Sequence, residues 1–314
     1  MSPTPLFTVF TATYNRAHTI HRVFGSLRAQ TLRDFEWLIV DDGSTDNTAA
    51  LIADWANEAD FPIRYFRQDH SGKHFAHNLA VREARGEFFL PLDSDDACIP
   101  EALARLANLW NTIPVSDRVH FSGVGGLCRN QHGEIIGDLF PSEPFDASLR
   151  DRRYIYRLRG EKWGMELTDI VRRHPFPEIR GTGFVPEGLV WMEIAKNYKI
   201  RSMNEAFRIY YVDDERTIVT LSNQKGLSDN APGRLHYYAW VLNNDLGYFF
   251  YSPKPFLKAA IMLPIVARFA GQRFVDAVKS LHGMPAKLLL FSVLPLSFLL
   301  YVSDRFRSLA TRRS

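Results

Sequence analysis

Leu90-Pro91-Leu92-Asp93-Ser94-Asp95-Asp96 closes an apolar run with three carboxylates in four residues, and Phe35-Glu36-Trp37-Leu38-Ile39-Val40-Asp41-Asp42-Gly43-Ser44-Thr45-Asp46 repeats the pattern of a buried strand ending in acid. A third β-rich run, residues 6–12, ends in the polar turn Thr13-Tyr14-Asn15-Arg16. Between these runs the spacing changes to that of helices. Ile20, Val23, Phe24 and Leu27 share one face of a helix expected over 17–30, and further helices are expected over 48–57 and 74–84. Residues 63–66 read as a short strand. Strand and helix alternating at this spacing predict an α/β chain whose mainly parallel sheet is covered on both faces. Ligands bind at the carboxyl ends of such strands, so the three polar clusters predict one composite site.

Three neighbouring carboxylates repel one another unless a cation neutralises them. A hard divalent ion such as Mg²⁺ or Mn²⁺ suits them and leaves coordination positions for phosphate oxygens. The alternative is an acidic loop capping the next helix, since Asp favours helix starts and Pro100-Glu101 follows.

Composition sets the frame. The chain has 314 residues, 46% hydrophobic and 23% charged, enough for one or two folded domains. Two cysteines, Cys98 and Cys128, make neither a disulfide framework nor a zinc site, which suits a reducing compartment. Met1-Ser2-Pro3-Thr4-Pro5 has no basic start or long apolar core, so no secretory signal is expected. Residues 251–314 carry ten Lys and Arg against two Asp, so the first 250 residues hold a net −5 within a whole-chain charge of +3. A basic, aliphatic tail on an acidic globule calls for an anionic lipid surface; nucleic acid is disfavoured, because aromatics for base stacking do not alternate with the cations.

Each cluster suits a nucleotide. Asp42 can accept from a base imide or ribose hydroxyls, and 11–14 can wall a planar base. Gly72-Lys73, opening the helix near His74, offers N–H groups and a cation to a diphosphate. It is no Walker motif, and 11–24 contains no Gly for a dinucleotide fingerprint.

The residues resemble a known family. Phe7-Thr8-Val9-Phe10-Thr11-Ala12-Thr13-Tyr14-Asn15-Arg16, Gln30-Thr31, the 35–46 run, Gly72-Lys73-His74-Phe75-Ala76-His77-Asn78, Ala84-Arg85-Gly86-Glu87-Phe88 and Leu92-Asp93-Ser94-Asp95-Asp96 follow in the order of the family 2 glycosyltransferases with the GT-A fold. The resemblance covers roughly residues 5–215. It implies an inverting hexosyltransferase that binds a nucleoside-diphosphate sugar, usually a UDP-sugar, with Mn²⁺ or Mg²⁺ on the diphosphate. It places Asp42 at the base, Asp93 near the ribose, and Asp95 with Asp96 and Asp93 at the metal. Thr11, Thr13, Tyr14, Arg16, Gly72, Lys73, Asn78 and Ser94 are the other residues expected at the nucleotide. Inversion needs a base on the acceptor side. In Gly181-Thr182-Gly183-Phe184-Val185-Pro186-Glu187-Gly188-Leu189 the resemblance assigns that role to Glu187, although a Glu in a first helical turn is also favoured by the helix dipole. Glu178 and Glu193 are rivals.

Other features have plainer readings. His70, His74 and His77 suit packing or substrate hydrogen bonding better than zinc. Cys98 is expected as a small buried residue, not a nucleophile. Tyr154, Tyr156, Trp163 and Trp191 fit either a sugar-stacking platform or core, and Lys162 is placed near them. Arg172-Arg173 reads as a solvated face.

The catalytic domain is expected over 1–215 and a helical, apolar-basic region over 216–314, with a hinge at 216–233. Residues 255–270 and 288–302 are its apolar pieces, both too short or too interrupted to span a bilayer, so a half-inserted or in-plane hairpin is expected. A helical packing domain or oligomer interface is the alternative. The expected setting is therefore the cytoplasmic face of an inner or plasma membrane, peripheral or monotopic, with a saccharide acceptor on a polyprenyl lipid. Two further classes stay open: a non-catalytic sugar-nucleotide-binding or scaffold protein on the same fold, and a sugar-1-phosphate nucleotidyltransferase.

Overall fold

In the computed structural model, which describes residues 4–212, 228 and 230–311, the strand-helix alternation of the first half appears as expected. β1 (Phe7–Thr13), α1 (His21–Arg28), β2 (Phe35–Asp41), α2 (Thr48–Glu58), β3 (Ile63–Arg67), α3 (Lys73–Glu83) and β4 (Phe88–Pro91) follow in order. All seven residues of β2 are buried, which is why Trp37 to Val40 run apolar without alternation, and its buried Glu36 accepts from Thr8 Oγ1 and Arg64. α1 turns Val23, Phe24 and Leu27 onto the core, where Phe24 stacks with Trp55 and Trp37. This helix starts at His21, later than its periodicity suggests. The preceding turn is stitched to the next loop instead: Asn15 N donates to Ser44 Oγ, Arg16 N to Thr48 Oγ1 and Ala17 N to Asp46 Oδ2.

The second half completes one sheet. β5 (Ala97–Cys98), α4 (Ala102–Asn111), β6 (Phe121–Asn130), β7 (Phe145–Ala147), α5 (Leu149–Tyr154), β8 (Lys162–Leu167), α6 (Thr168–Arg173), α7 (Gly188–Ile194) and β9 (Lys199–Tyr210) follow. Among the described residues nine strands pair in the order β3-β2-β1-β4-β8-β6-β9-β5, with β7 also on β9. β1 to β4 pair in parallel. β8 runs antiparallel between β4 and β6, and β5 and β7 run antiparallel to β9, so the sheet becomes mixed beyond β4. β8 lies so close to β6 that a Cβ on Gly123 would lie 1.8 Å from Met165 O and one on Gly125 2.7 Å from Trp163 O, while Gly126 faces Glu205 O of β9 in the same way, which explains the glycines of Gly123-Val124-Gly125-Gly126.

The chain divides into two compact units, Met1–Glu178 with Val190–Ile218, and Ile179–Leu189 with Val219–Ser314. The expected boundary at 215/216 and most of the expected hinge lie outside the described residues. The second unit contains α8 (Ala231–Asn244), α9 (Pro253–Phe269), α10 (Phe274–Lys279), α11 (Met284–Ser292) and α12 (Leu294–Thr311). α9 is its core: Phe256, Ala259, Ala260, Leu263, Val266 and Ala267 are almost fully buried. Residues 255–270 are thus interior packing and not a lipid-facing piece, a correction to the expected hairpin. The exposed apolar residues lie further on, at Met284, Leu288, Phe291, Leu296, Phe298 and Leu299. Among the described residues no single helix is long and apolar enough to cross a membrane, although Met284–Ser292 and Leu294–Val302, bent by 51°, pass that test as a pair.

One sheet residue carries a titratable burden. Glu166 on β8 sits between Phe89 and Gly123, and burial pushes its carboxyl up to about 7 against the hydrogen bond of Ser122 and the charge of Arg152. The folded chain keeps a proton there that the unfolded chain releases above 4.5. The stability this proton brings is complete below pH 4.5 and lost as pH rises through 7. Glu166→Gln, neutral throughout, is expected to match the parent at the acid end and to exceed it at about pH 8 by up to about 3 kcal/mol. Denaturation across that range checks this, and an offset independent of pH would contradict it.

Candidate functional site

Because β1 lies between β2 and β4, the polar segments that follow these three strands converge at one end of the sheet. The first is organised by Asp41 and Asp42. Asp41 accepts from Ser44 N (2.7 Å) and Tyr65 Oη (2.7 Å), shaping the turn after β2. Asp42, nearly buried, is tied to the loop before α3. Its Oδ1 accepts from Gln68 Nε2 (2.7 Å) and Ser71 N (2.9 Å), its Oδ2 accepts from Gly72 N (2.9 Å), and His70 Nδ1 lies 2.9 Å from Oδ2. Gly72 has φ +106°, a left-handed conformation that suits glycine and turns its N–H onto Asp42. Asp42 therefore holds residues 68–72 in place, and the Gly72 N–H that was expected to face a diphosphate is already bonded.

The loop so held presents His70, whose ring stacks on that of Tyr14 at 4.2 Å between centroids. Both side chains are substantially exposed, so the pair offers a flat aromatic surface to solvent. Thr13, beside it, is buried with a hydroxyl that has no hydrogen-bond partner. Thr11 instead donates to Leu92 O (2.9 Å) and accepts from Trp37 Nε1 (3.0 Å), which ties β1 to the chain after β4. It is a fully buried residue whose hydroxyl is used in these structural hydrogen bonds.

The tetrad follows β4 as a tight turn, with Asp96 N donating to Asp93 O. Asp93 Oδ1 accepts from Lys73 Nζ (2.6 Å), and Asp93 Oδ2 from Arg208 Nη2 (2.6 Å). Asp96 Oδ2 accepts from Arg208 Nε (2.6 Å) and Nη2, and its Oδ1 from Tyr211 N (3.2 Å). Asp95 is placed differently. Arg16 Nη2 stands 4.0 Å from its carboxylate, and its main-chain carbonyl accepts from Arg22, whose guanidinium lies over the Tyr211 ring. Burial would raise Asp93, but Lys73 and Arg208 outweigh it and hold the carboxyl below the usual range. For Asp96 burial dominates and, with Asp93 and Asp95 alongside, overcomes Arg208 and pushes it up to about 6. Among the described residues no group of three His, Cys, Asp or Glu side chains is placed to hold a metal ion. Of the expected triple of Asp93, Asp95 and Asp96, Asp93 and Asp96 accept hydrogen bonds from this chain's own donors and Asp95 receives none from them. Asp95 fits a cation that keeps most of its ligands from phosphate and water.

Asn78 also has another task. It is buried, accepts from Phe176 N (2.9 Å) and donates to Phe176 O (2.9 Å), pinning that segment to α3. Ser94 is buried within the tetrad turn. His77 is enclosed edge-on by Phe10, Phe89, Phe176 and Trp191, and burial, then Lys73, lowers it to about 3, so it is a neutral packing residue. Cys98 is likewise inert, its thiol pushed up to about 12 by burial. Of the expected aromatic platform, Tyr154 and Trp163 are core, Trp163 donating to Pro91 O, while Tyr156 is exposed and Lys162 donates to Arg159 O. Glu187 belongs to the 179–189 segment of the second unit, partly buried just before α7. Its rivals are committed to ion pairs, Glu178 with Arg82 (3.8 Å) and Glu193 with Lys196 (2.7 Å). Sequence reasoning missed Arg208. Its only signal is a charged residue inside a strand whose neighbours, Phe207 and Ala206, are apolar.

Residues 8–163 match the family described as "Glycosyl transferase family 2". Those residues form a domain of that family. An uncharacterized glycosyltransferase of Nostoc sp. is 36% identical to this chain over 112 residues, 36% of this chain and 35% of the relative. Another, of Rickettsia typhi, is 26% identical over 148 residues, 46% of this chain and 45% of its own. The matches thus span less than half the length of these curated relatives. The GalNAc(5)-diNAcBac-PP-undecaprenol beta-1,3-glucosyltransferase of Campylobacter jejuni is 24% identical over 77% of this chain and 75% of its own. Among solved structures, S. aureus TarS in complex with UDP-GlcNAc superposes with a TM-score of 0.59 at 20% identity, covering 93% of this chain and 80% of that one. The mannosyltransferase PcManGT of Pyrobaculum calidifontis, in complex with GDP-Man and Mn²⁺, gives 0.50 at 19% identity, covering 97% and 83%. The fold of this chain is the GT-A fold its motifs imply.

Asp42 yields a stability prediction independent of any ligand. Asp42→Ala removes the acceptor of two backbone N–H groups and two side chains, and is expected to lower stability by about 2–3 kcal/mol. Urea unfolding measures the loss, and hydrogen exchange should localise it to residues 68–72. An unchanged midpoint would show that the loop does not depend on Asp42.

Proposed function

We propose that this protein is an inverting glycosyltransferase that moves a sugar from a UDP-sugar to a hydroxyl of a lipid-linked saccharide in cell-surface glycan assembly. The observation that carries the reading is the gathering of an exposed aromatic stack, Tyr14 on His70, with Lys73, Arg16 and Asp95 after the parallel strands β1, β3 and β4. The stack offers a face to a planar base, and the two cations suit a diphosphate. Thr13 supplies a hydroxyl whose hydrogen bonding is unspent. A Mn²⁺ or Mg²⁺ ion, with Asp95 as its carboxylate, would offset charge on the departing diphosphate. The nucleotide sugars named with TarS and PcManGT support a donor of this class.

In the proposed reaction the acceptor hydroxyl attacks the anomeric carbon from the face opposite the nucleotide. A new C–O bond forms as the bond to the diphosphate breaks, and the hydroxyl proton passes to the Glu187 carboxylate. Lys73 and Arg16 favour the departing diphosphate as its charge grows.

The acceptor and setting follow from the second unit. Met284, Leu288, Phe291, Phe298 and Leu299 are exposed, and Lys279 and Lys287 flank them. That composition fits insertion of α11 and the start of α12 to headgroup depth in an anionic membrane, at its cytoplasmic face. The undecaprenol-linked acceptor in the name of the C. jejuni relative supports the lipid-linked assignment.

UDP release from a panel of UDP-sugars with Mn²⁺ and a polyprenyl-linked saccharide tests the chemistry. Asp95→Ala and Glu187→Gln are each expected to lower kcat by about 10²-fold or more while melting like the parent. Tight UDP-sugar binding with no turnover would favour the binding-protein reading, and nucleotide-sugar synthesis from a sugar 1-phosphate the nucleotidyltransferase one. For the membrane, Phe298→Ser with Leu299→Ser is expected to lower partitioning onto vesicles rich in phosphatidylglycerol several-fold. Equal partitioning would remove the lipid assignment and leave the apolar face to protein contacts.

A further inference from the structure

Three carboxylates in one turn raise the question of which groups of the chain hold them together. The answer lies in a strand remote in sequence. Arg208 is the third residue from the end of β9, and its register partners are Cys98 on β5 and Cys128 on β6. Both cysteines are buried, and Arg208 itself has a side chain only 9% exposed. Its guanidinium meets the acidic turn side-on, through Nε and Nη2. Nε and Nη2 reach Asp96 Oδ2, and Nη2 also reaches Asp93 Oδ2. A guanidinium is a planar fork of donors, and here it bridges two carboxylates that would otherwise repel. The remaining oxygens are closed by Lys73 Nζ on Asp93 and Tyr211 N on Asp96.

Each of the four carboxylate oxygens of Asp93 and Asp96 thus accepts a hydrogen bond from within the chain, and Asp95 alone keeps its carboxylate without one from these donors. We propose that Arg208 is a positioning residue that withholds Asp93 and Asp96 from metal coordination, so that the turn offers a divalent cation one carboxylate, that of Asp95. A cation held by one carboxylate binds weakly until phosphate oxygens complete its shell. Arg208 thereby makes metal retention depend on the nucleotide, and it stops the acidic turn from becoming a permanent cation site. The inference deepens the sugar-nucleotide reading and rests on it for its purpose. The behaviour of the metal alone tests it separately.

The probe is Mn²⁺ without nucleotide, titrated into the full chain and followed by the electron paramagnetic resonance of the free ion. The parent is expected to bind weakly. Arg208→Gln keeps a polar side chain but frees Asp93 and Asp96, and is expected to bind Mn²⁺ about tenfold tighter or more, a gain that a purely structural residue would not produce on removal. Asp95→Asn in the parent background should abolish what weak binding there is. Should Arg208→Gln fail to fold, Arg208→Lys takes its place, because one ammonium can serve one carboxylate but not bridge two; a gain of about threefold is then expected. Mn²⁺ affinity no higher in the folded variant than in the parent would overturn the proposal. A parent that binds no UDP in the presence of Mn²⁺ would instead sink the functional reading and leave the Arg208 result standing.

Discussion

Neutralisation of the acidic turn after β4 is the constraint on which this architecture depends. Asp93, Asp95 and Asp96 cannot occupy one turn of a partly buried loop without compensating charge, and the chain supplies it from four places: Arg16 after β1, Arg22 on α1, Lys73 at the start of α3 and Arg208 on β9. Each lies on a different segment, so the turn acts as the electrostatic knot where those segments meet. Buried ion pairs of this kind add little net stability, because desolvation offsets attraction. They specify arrangement instead, since removing one partner leaves a stranded charge.

The sheet order explains how such distant residues arrive together. β9 and β5 pair antiparallel, and β5 directly follows the tetrad, so Ala97 and Cys98 carry the turn against the strand that holds Arg208. The parallel half delivers the other components, Arg16 and Arg22 after β1 and Lys73 after β3. The mixed half of the sheet is therefore more than an extension of the parallel half, for it brings the arginine that the acidic turn needs.

Much of this was legible in the sequence because local physics dominates it. β1, β2 and β4 are apolar runs that end in polar residues, and α2 and α3 have clear helical spacing, so their places and the convergence of strand ends followed directly. What was not legible depended on contacts far apart in the chain. Asp93 and Arg208 are 115 positions apart, and nothing in the spacing around Arg208 announces a carboxylate partner. Asn78 and Asp42 sit in motifs that suggest ligand contacts, yet each serves backbone groups, Asn78 at Phe176 and Asp42 at Ser71 and Gly72. A motif records that a residue type is needed at a position without recording which neighbour needs it. The apolar residues of α9 likewise read as lipid-facing by hydropathy, but a helix apolar on all sides is equally the centre of a helical unit.

The loop anchored on Asp42 has a consequence for recognition. Its carboxylate already receives as many donors as its lone pairs can serve, so a base imide approaching it can enter only by displacing Gln68, His70, Ser71 or Gly72. Recognition there is substitution and not addition: the guest replaces a host bond of similar strength, and the enthalpy gained is small. Discrimination between bases would then arise from whether the released segment can settle around the newcomer, which makes the loop itself, more than the carboxylate, the element that reads the base.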